Sequence, residues 1–568
     1  MLLPAAAAAC RAPAAPPASA VPQGWAYAGP PAVATGAQAM VATDAALATK
    51  VGVDIMRAGG NAVDAAVAVA FALAVVYPEA GNVGGGGFMV ARMADGTTGA
   101  LDFRETAPAA ATPDMYLDSA GNVTDRSLAG HLASGVPGAV AGLWEAHQRF
   151  GTLAWRDLVE PAIRLARDGF TVDSAFAESV AAARTWLEPW DGSRRLFLAS
   201  GSPPAAGSPW TNPDLAAVLE RIALRGSAGF YEGETADLIV AEMRRGGGLI
   251  THEDLRGYRP VWREPLTFGY RGHTVISMPP SSSGGITLRL IAGLLEGFDL
   301  AVSGWHTAAT LHLTAEAMRR AFADRNAFLG DPDFVEIPAR LGNRAYIDSL
   351  RATILADRAS PSASIAPGLG AVREPEHTTH FSVVDPLGNA VALTTTLNEL
   401  YGSGVTVAGA GFQLNDEMDD FTAKVGVPNL FGLVQGEANA IAPGKRMLSA
   451  MTPTLVLDAD GRVLLVTGAR GGPRIITAVF QVLSNVIDYD MDIGAAVHAP
   501  RIHHQHLPDI LHFEANGLDS LTVRALAALG HDVQSRDGYV GSAPSILRRN
   551  GIWRGVPDPR TRGSARGY

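Results

Sequence analysis

The chain has 568 residues, of which 47% are apolar and 18% charged, and its formal net charge is −11. That length can bury a large core in one domain or several, and the acidic balance, with no basic run, excludes nucleic acid as a partner. A single cysteine, Cys10, excludes internal disulfides, cysteine zinc sites and a cysteine nucleophile in the folded body; the three lysines, Lys50, Lys424 and Lys445, lie in no GxxxxGK[ST] loop.

Along the chain, MLLPAAAAAC followed by an alanine- and proline-rich stretch reads either as the end of a secretory or lipoprotein signal, with Cys10 lipidated, or as a plain disordered terminus. Residues 44–58 have helical periodicity and stop at Gly59–Gly60, a C-terminal cap signal. The apolar run at 63–77 is too short for a membrane span and carries Asp64, which predicts a buried helix. GNVGGGGFMVARM then reads as a glycine-rich turn entering a strand, with the glycines allowing close backbone packing, and LDFRE at 101–105 as a second strand. Within it, Arg104 is a lone arginine in apolar surroundings. A buried arginine there would need an anion.

Residues 137–250 alternate amphipathic helices with short loops. A hairpin is predicted over 266–278, a helix after PPSSSGG, a long helix over 305–328 and a linker over 356–376. Then the character changes. HFSVVD-PLGN-AVALTTTLN and TPTLVLDADGRVLLVTG are two hairpins, with helices predicted near 473–488 and 518–529. Strand pairs flanked by helices point to sheets covered by helical layers.

Four constellations could carry chemistry. A threonine hydroxyl needs a base, and one source is its own α-amine if it begins a chain. That amine has a reference pKa of about 7.7–8.0 and is partly the free base near neutrality. Thr378 stands where a linker meets a strand, a sensible place for a cut. NDEMDDF at 415–421 is either a solvated acidic turn or a clamp for a substrate ammonium. GARGG at 468–472 is either a plain strand-to-helix turn or an oxyanion hole made of successive backbone N–H groups. HAPRIHHQHLPD at 498–509 is dense in histidine, but its spacing matches no strong metal motif.

GGNAVDAAVAVAFALAV, EAGNVGGGGFM, LDFRETAP, HLASGVPGAVAG, PPSSSGGI, FLGDPDFV, TTHFSVVD, NDEMDDF, GVPNLFGLV and the terminal GY, in that order, resemble the gamma-glutamyltransferase family of the N-terminal-nucleophile hydrolase superfamily. The resemblance runs from about Gly36 to Tyr568. It implies an α+β fold, the four-layer αββα sandwich. It also implies a precursor that cuts itself between His377 and Thr378, with residues 1–35 as signal or tether, 36–377 as large subunit and 378–568 as small catalytic subunit.

By the same resemblance Thr378 is the nucleophile, Thr396 its hydrogen-bonding partner, and Gly471 and Gly472 the oxyanion pair. Asn398, Glu417 and Asp420 hold the donor's α-amino group, and Arg104 and Ser449 its α-carboxylate, the charges being read from opposite sides. The implied substrates are glutathione and other gamma-glutamyl compounds. Water, amino acids or peptides are the acceptors, no cofactor or metal is implied, and the location is periplasmic or secreted. Two departures stand out. Ala450 replaces a second serine, and Arg470 precedes the glycine pair where a small residue is usual, its charge either pointing to solvent or biasing acceptor choice. The alternatives are a glutaryl-type cephalosporin acylase, whose acyl group lacks the α-amine, and a catalytically dead homologue acting as a binding protein.

Overall fold

The structure is a computed structural model, and it describes residues 21–365, 378–429 and 432–568. Cys10 and His377 lie outside the described residues, as do two positions of the 425–436 segment.

Two seven-stranded sheets stack face to face. The first runs Ser564–Gly567, Met40–Thr43, Thr378–Val384, Ala390–Thr396, Gly86–Arg92, Thr98–Phe103, Val261–Arg263. The second runs Ala34–Gly36, Ile552–Val556, Ser545–Arg549, Val463–Thr467, Thr454–Leu457, His273–Ser277, Leu266–Tyr270. Helices cover both outer faces, which completes the expected four layers. Strand alternation divides the core. Val41, Met89, Leu101, Phe381, Val383, Val391 and Leu393 face the helical layer of the first sheet. Met40, Ala42, Phe88, Val90, Val384 and Ala392 belong with Leu455, Val466 and Ile546 to the second core, which reaches the outer helices of the other sheet.

The apolar run forms the helix Ala62–Val76, and all fifteen of its residues are buried. It is hydrophobic all round because it has neighbours all round: the helices Ala46–Arg57 and Trp155–Arg167 and the sheet beneath. Asp64 is tolerated at its start because it closes a capping box with Asn61 and accepts from Thr152 N at 3.0 Å. Cutting Phe71, fully buried in this layer, to alanine would cost about 3–5 kcal/mol. The long helix is Ala308–Phe328, capped by the Thr307 hydroxyl, and the two late helices are Arg474–Ile487 and Ser520–Ala528.

At the centre of the first sheet, Thr378–Val384 and Ala390–Thr396 form an antiparallel hairpin in which Thr378 lies opposite Thr396. The turn fixes that register: the Asp385 carboxylate accepts from Leu387 N and Asn389 N, and Gly388 takes φ +89°. The neighbouring strand comes so close that a Cβ on Gly85 would stand 2.0 Å from the Thr396 carbonyl oxygen. The glycine run is therefore a close-packing device beneath the hairpin.

Candidate active site

A narrow cavity opens at the end of this hairpin, with Thr378 and Thr396 in its wall. The Thr378 hydroxyl donates to Thr396 Oγ1 at 3.3 Å, and Thr396 Oγ1 also accepts from Asn398 N at 2.8 Å. Asn398 sits in the left-handed region (φ +79°), which asparagine tolerates better than most residues, and this turns the chain out of the strand. The flanking histidine is no base for Thr378. His380 Nδ1 pairs with Thr394 Oγ1 at 2.8 Å, Nε2 pairs with Ser382 Oγ at 3.2 Å, and burial depresses its pKa to about 3.

Gly472 and Pro473 line the same cavity, at the start of the helix Arg474–Ile487. Gly471 and Gly472 have φ +126° and +55°, conformations that favour glycine, so the turn presents bare backbone near the helix N-terminus. Gly472 reaches the cavity wall; Gly471 lies one residue behind it. Backbone bonds in both directions between Arg470 and Ser542, 2.9 and 3.1 Å, hold the turn in place.

The Arg470 side chain does not reach solvent. It is 4% exposed, hydrogen-bonded to the Tyr77 hydroxyl and 3.7 Å from Glu79 Oε1, on the wall of a second cavity that also contains Asp44. Two acidic groups and a phenol give the guanidinium an interior site, which explains why it stays inside.

Part of the wall of the first cavity is charged. The acidic segment is not a solvated turn: Asp416, Glu417, Asp419 and Asp420 are all buried. Asp416 accepts from Glu399 N at 2.9 Å and Asp419 from the Ser127 hydroxyl at 2.7 Å, so these two hold the segment down. Glu417 and Asp420 line the cavity, and there Arg104 pairs with both. The expectation that the arginine and the two acids face the cavity from opposite sides is therefore wrong. They form one cluster, because a buried guanidinium without carboxylates would be costly. Burial alone would lower the Arg104 pKa; Glu417 and Asp420 outweigh it and raise the value. Glu105 lies 3.6 Å from the same guanidinium, and burial pushes its carboxyl up to about 8.

Ser449 and Ala450 complete this wall. The Ser449 hydroxyl oxygen accepts from Met451 N at 3.1 Å, and its carbonyl receives both Ser283 N and Ser283 Oγ, at 2.7 and 2.6 Å. Of the predicted site residues, Arg104, Thr378, Thr396, Asn398, Glu417, Asp420, Ser449 and Gly472 all line one cavity. The sequence reading missed Arg325, on the long helix, and the apolar wall of Leu433, Met451 and Ile475. Arg325 lies on that helix three residues before FLGDPDFV, a motif used above for its order and given no role, and nothing in the sequence sets it apart from the neighbouring Arg319 and Arg320.

The histidine-rich segment is structural. His503 bonds Thr477 and Gln505, His504 bonds Asp509, and His506 bonds the Ser362 carbonyl. A different trio, His312, Glu316 and His531, has its ligand-type atoms within 4.8 Å of one another, but Arg319 and Arg320 already occupy the Glu316 carboxylate. Among the described residues no helix is long and apolar enough to cross a membrane.

A strand-borne threonine beside a glycine turn, at the end of two stacked sheets between helical layers, defines a protein of the N-terminal-nucleophile hydrolase class. Comparison with known proteins narrows this. The Gamma-glutamyltranspeptidase family profile matches residues 48–568, and the chain belongs to that family. It is 48% identical to the glutathione hydrolase proenzyme of Escherichia coli K12 over 528 residues, 92% of this chain and 90% of that one. Among solved structures it resembles the gamma-glutamyltranspeptidase of Helicobacter pylori, 44% identical, with a TM-score of 0.56 over 58% of this chain and 96% of that one. It also resembles the cephalosporin acylase of Bacillus halodurans, 28% identical, with a TM-score of 0.83 over 96% and 99%.

Proposed function

We propose that this chain is a self-processing gamma-glutamyltransferase acting on glutathione and related gamma-glutamyl amides, with Thr378 as the nucleophile. The observation that carries the reading is a single cavity whose wall contains both a threonine hydroxyl and a carboxylate–guanidinium cluster. A gamma-glutamyl group is a zwitterion at one end and an acyl carbon at the other, and such a cavity matches both.

In the precursor, the Thr378 hydroxyl attacks the carbonyl of residue 377. The peptide C–N bond breaks, an ester forms, and the nitrogen becomes the α-amine of Thr378. Water then hydrolyses the ester and releases the upstream chain. In the mature form that amine takes the hydroxyl proton as Oγ1 attacks the γ-carbonyl. Thr396, itself fixed by Asn398 N, orients the hydroxyl, and the Gly471 and Gly472 backbone N–H groups stabilise the oxyanion. The leaving amine departs with a proton. The acyl group then passes to water, or to the amine of an amino acid or peptide.

At the other end, Glu417 and Asp420 with Asn398 receive the donor ammonium, while Arg104 and Ser449 contact its α-carboxylate. That fixes the γ-carbonyl over Thr378. We also propose export to the periplasm or medium, with Cys10 as lipid attachment point, which mass spectrometry of the mature N-terminus tests.

A glutaryl acylase is the second reading, favoured by Ala450 in the cavity wall and by the acylase likeness. The buried acids weigh against it, because a glutaryl group brings no ammonium to them. The deciding experiment is denaturing electrophoresis with N-terminal sequencing of the smaller fragment, expected to read Thr-Thr-His-Phe, followed by turnover of glutathione against a glutaryl amide. An uncleaved chain after long incubation sinks the processing scheme. A glutaryl preference moves the protein to the acylases.

A further inference from the structure

Thr378 begins the strand Thr378–Val384, and the two flanks of that strand are not alike. Towards Ala390–Thr396 the ladder runs the whole length, from Thr378 opposite Thr396 to Val384 opposite Ala390. Towards Met40–Thr43, among the described residues, it covers Ser382, Val383 and Val384 and stops short of Thr379. The start of the strand is therefore laddered on one side. A chain end held on one flank frays. Before self-cleavage the bond to residue 377 also restrains Thr378; afterwards that restraint is gone.

Asp44 occupies the open flank. It follows the strand Met40–Thr43 and is 3% exposed. Its Oδ2 accepts from Thr379 Oγ1 at 2.9 Å and its Oδ1 from Thr561 Oγ1 at 2.9 Å. The next residue, Ala45, begins the helix Ala46–Arg57 with no side-chain cap. An aspartate so near a helix start commonly serves as its cap; this one is turned to the strand instead. Thr379 is fully buried, so its hydroxyl has to find a partner inside the protein, and Asp44 is that partner.

Thr561 carries the link onward. Its hydroxyl oxygen lies 3.0 Å from Ser542 Oγ, and Ser542 exchanges backbone bonds of 2.9 and 3.1 Å with Arg470, the residue before Gly471 and Gly472. The contacts Thr379–Asp44–Thr561–Ser542–Arg470 thus join the strand that bears Thr378 to the glycine turn. The strand belongs to the first sheet and the turn follows Val463–Thr467 of the second, so no ladder sets the spacing between them.

We propose that Asp44 is a positioning residue for the reaction at Thr378. It ties the open flank of the nucleophile's strand to the turn beside it, and its effect is largest once the bond before Thr378 has been cut. This rests on Thr378 being the nucleophile, and not on which acyl group it takes.

The test compares three variants of the full chain: Thr379→Val, which removes the hydroxyl at nearly constant shape, Thr379→Ser, which keeps it, and Asp44→Asn. Self-cleavage is timed by electrophoresis after a pulse of labelled synthesis. Turnover of γ-glutamyl and glutaryl anilides is measured on the cleaved protein. In Thr379→Val and Asp44→Asn, kcat for the anilide that the wild type prefers should fall about tenfold with KM within about twofold, because the groups around Arg104 are untouched. Self-cleavage should slow by less than about threefold, since the precursor still holds Thr378 from both sides. Thr379→Ser should stay within about twofold of the wild type in both assays. A merely structural role would slow cleavage and turnover together, so equal factors overturn the inference. An unchanged kcat in Thr379→Val, or a serine variant no better than valine, overturns it as well. If one of Thr379→Val and Asp44→Asn stays uncut the other decides, and both uncut overturns it. A wild-type chain that is not cut before Thr378 overturns the nucleophile reading itself, and this inference with it.

Discussion

Around Thr378 the cavity wall is neutral: the hydroxyl bonds Thr396 across the hairpin, and Gly472 of the glycine turn lines the same cavity. At the Arg104 end the groups are charged and come from four segments far apart in sequence, near residues 104, 325, 420 and 449. The difference separates two requirements. The neutral end needs position, which a hairpin register supplies locally. The charged end needs discrimination, which requires buried charges whose partners can be assembled only by the complete fold. Losses at the first end should therefore be absolute, and losses at the second graded and dependent on the substrate's charge.

The largest effect tests the first half of that contrast. Thr378→Ala should leave the chain uncut and abolish turnover of every donor, as read by electrophoresis and anilide release; residual cleavage at the same bond would assign the attack to another group. Next comes Asp420→Asn, which removes one partner of a buried guanidinium. A fall of about 100-fold in kcat/KM for γ-glutamyl donors is expected, with a much smaller fall for glutaryl donors. An equal fall for both would mean that the acid serves the fold rather than the ammonium.

Ala450→Ser should sharpen the charged end. A second hydroxyl beside Ser449 should lower KM for γ-glutamyl donors by about three- to tenfold with little change in kcat. No gain would show that the wall has no room for a further hydrogen bond to the ligand.

The smallest effect concerns stability. Glu105 has a folded pKa of about 8, above its ordinary value, so the native state binds a proton that the unfolded chain releases. Its contribution is complete below about pH 4.5 and is lost as pH rises towards 8. Glu105→Gln should flatten that loss, so wild-type Tm should fall relative to the variant by about a degree or more across the window. Parallel curves would show that Glu105 is ionised throughout.

Much of the neutral end was legible in sequence. Alternating apolar residues around PLGN fix the hairpin, and the register that sets Thr378 against Thr396 follows from its turn. The glycine run before Phe88 reads as close packing from composition alone. The charged end was legible in its members but not in its arrangement. Nothing in LDFRE or NDEMDDF states that Arg104 sits between Glu417 and Asp420, because that pairing is a tertiary contact between segments more than 300 residues apart. Arg470 was equally opaque: whether an arginine finds an interior partner depends on Tyr77 and Glu79, brought to it by a different helix end. Arg325 escaped because it lies on a long helix whose buried face carries several arginines, each looking like ordinary surface charge.

The order of strands in the first sheet has a mechanical consequence. Met40–Thr43 lies between Ser564–Gly567 and Thr378–Val384, while Gly86–Arg92 pairs with Ala390–Thr396 on the other side. A cut before Thr378 leaves two polypeptides interleaved strand by strand in one sheet, so neither can be withdrawn without tearing ladder hydrogen bonds on both flanks. Scission would thus follow folding rather than precede it, and two halves expressed separately and mixed should not reassemble into what the single chain becomes.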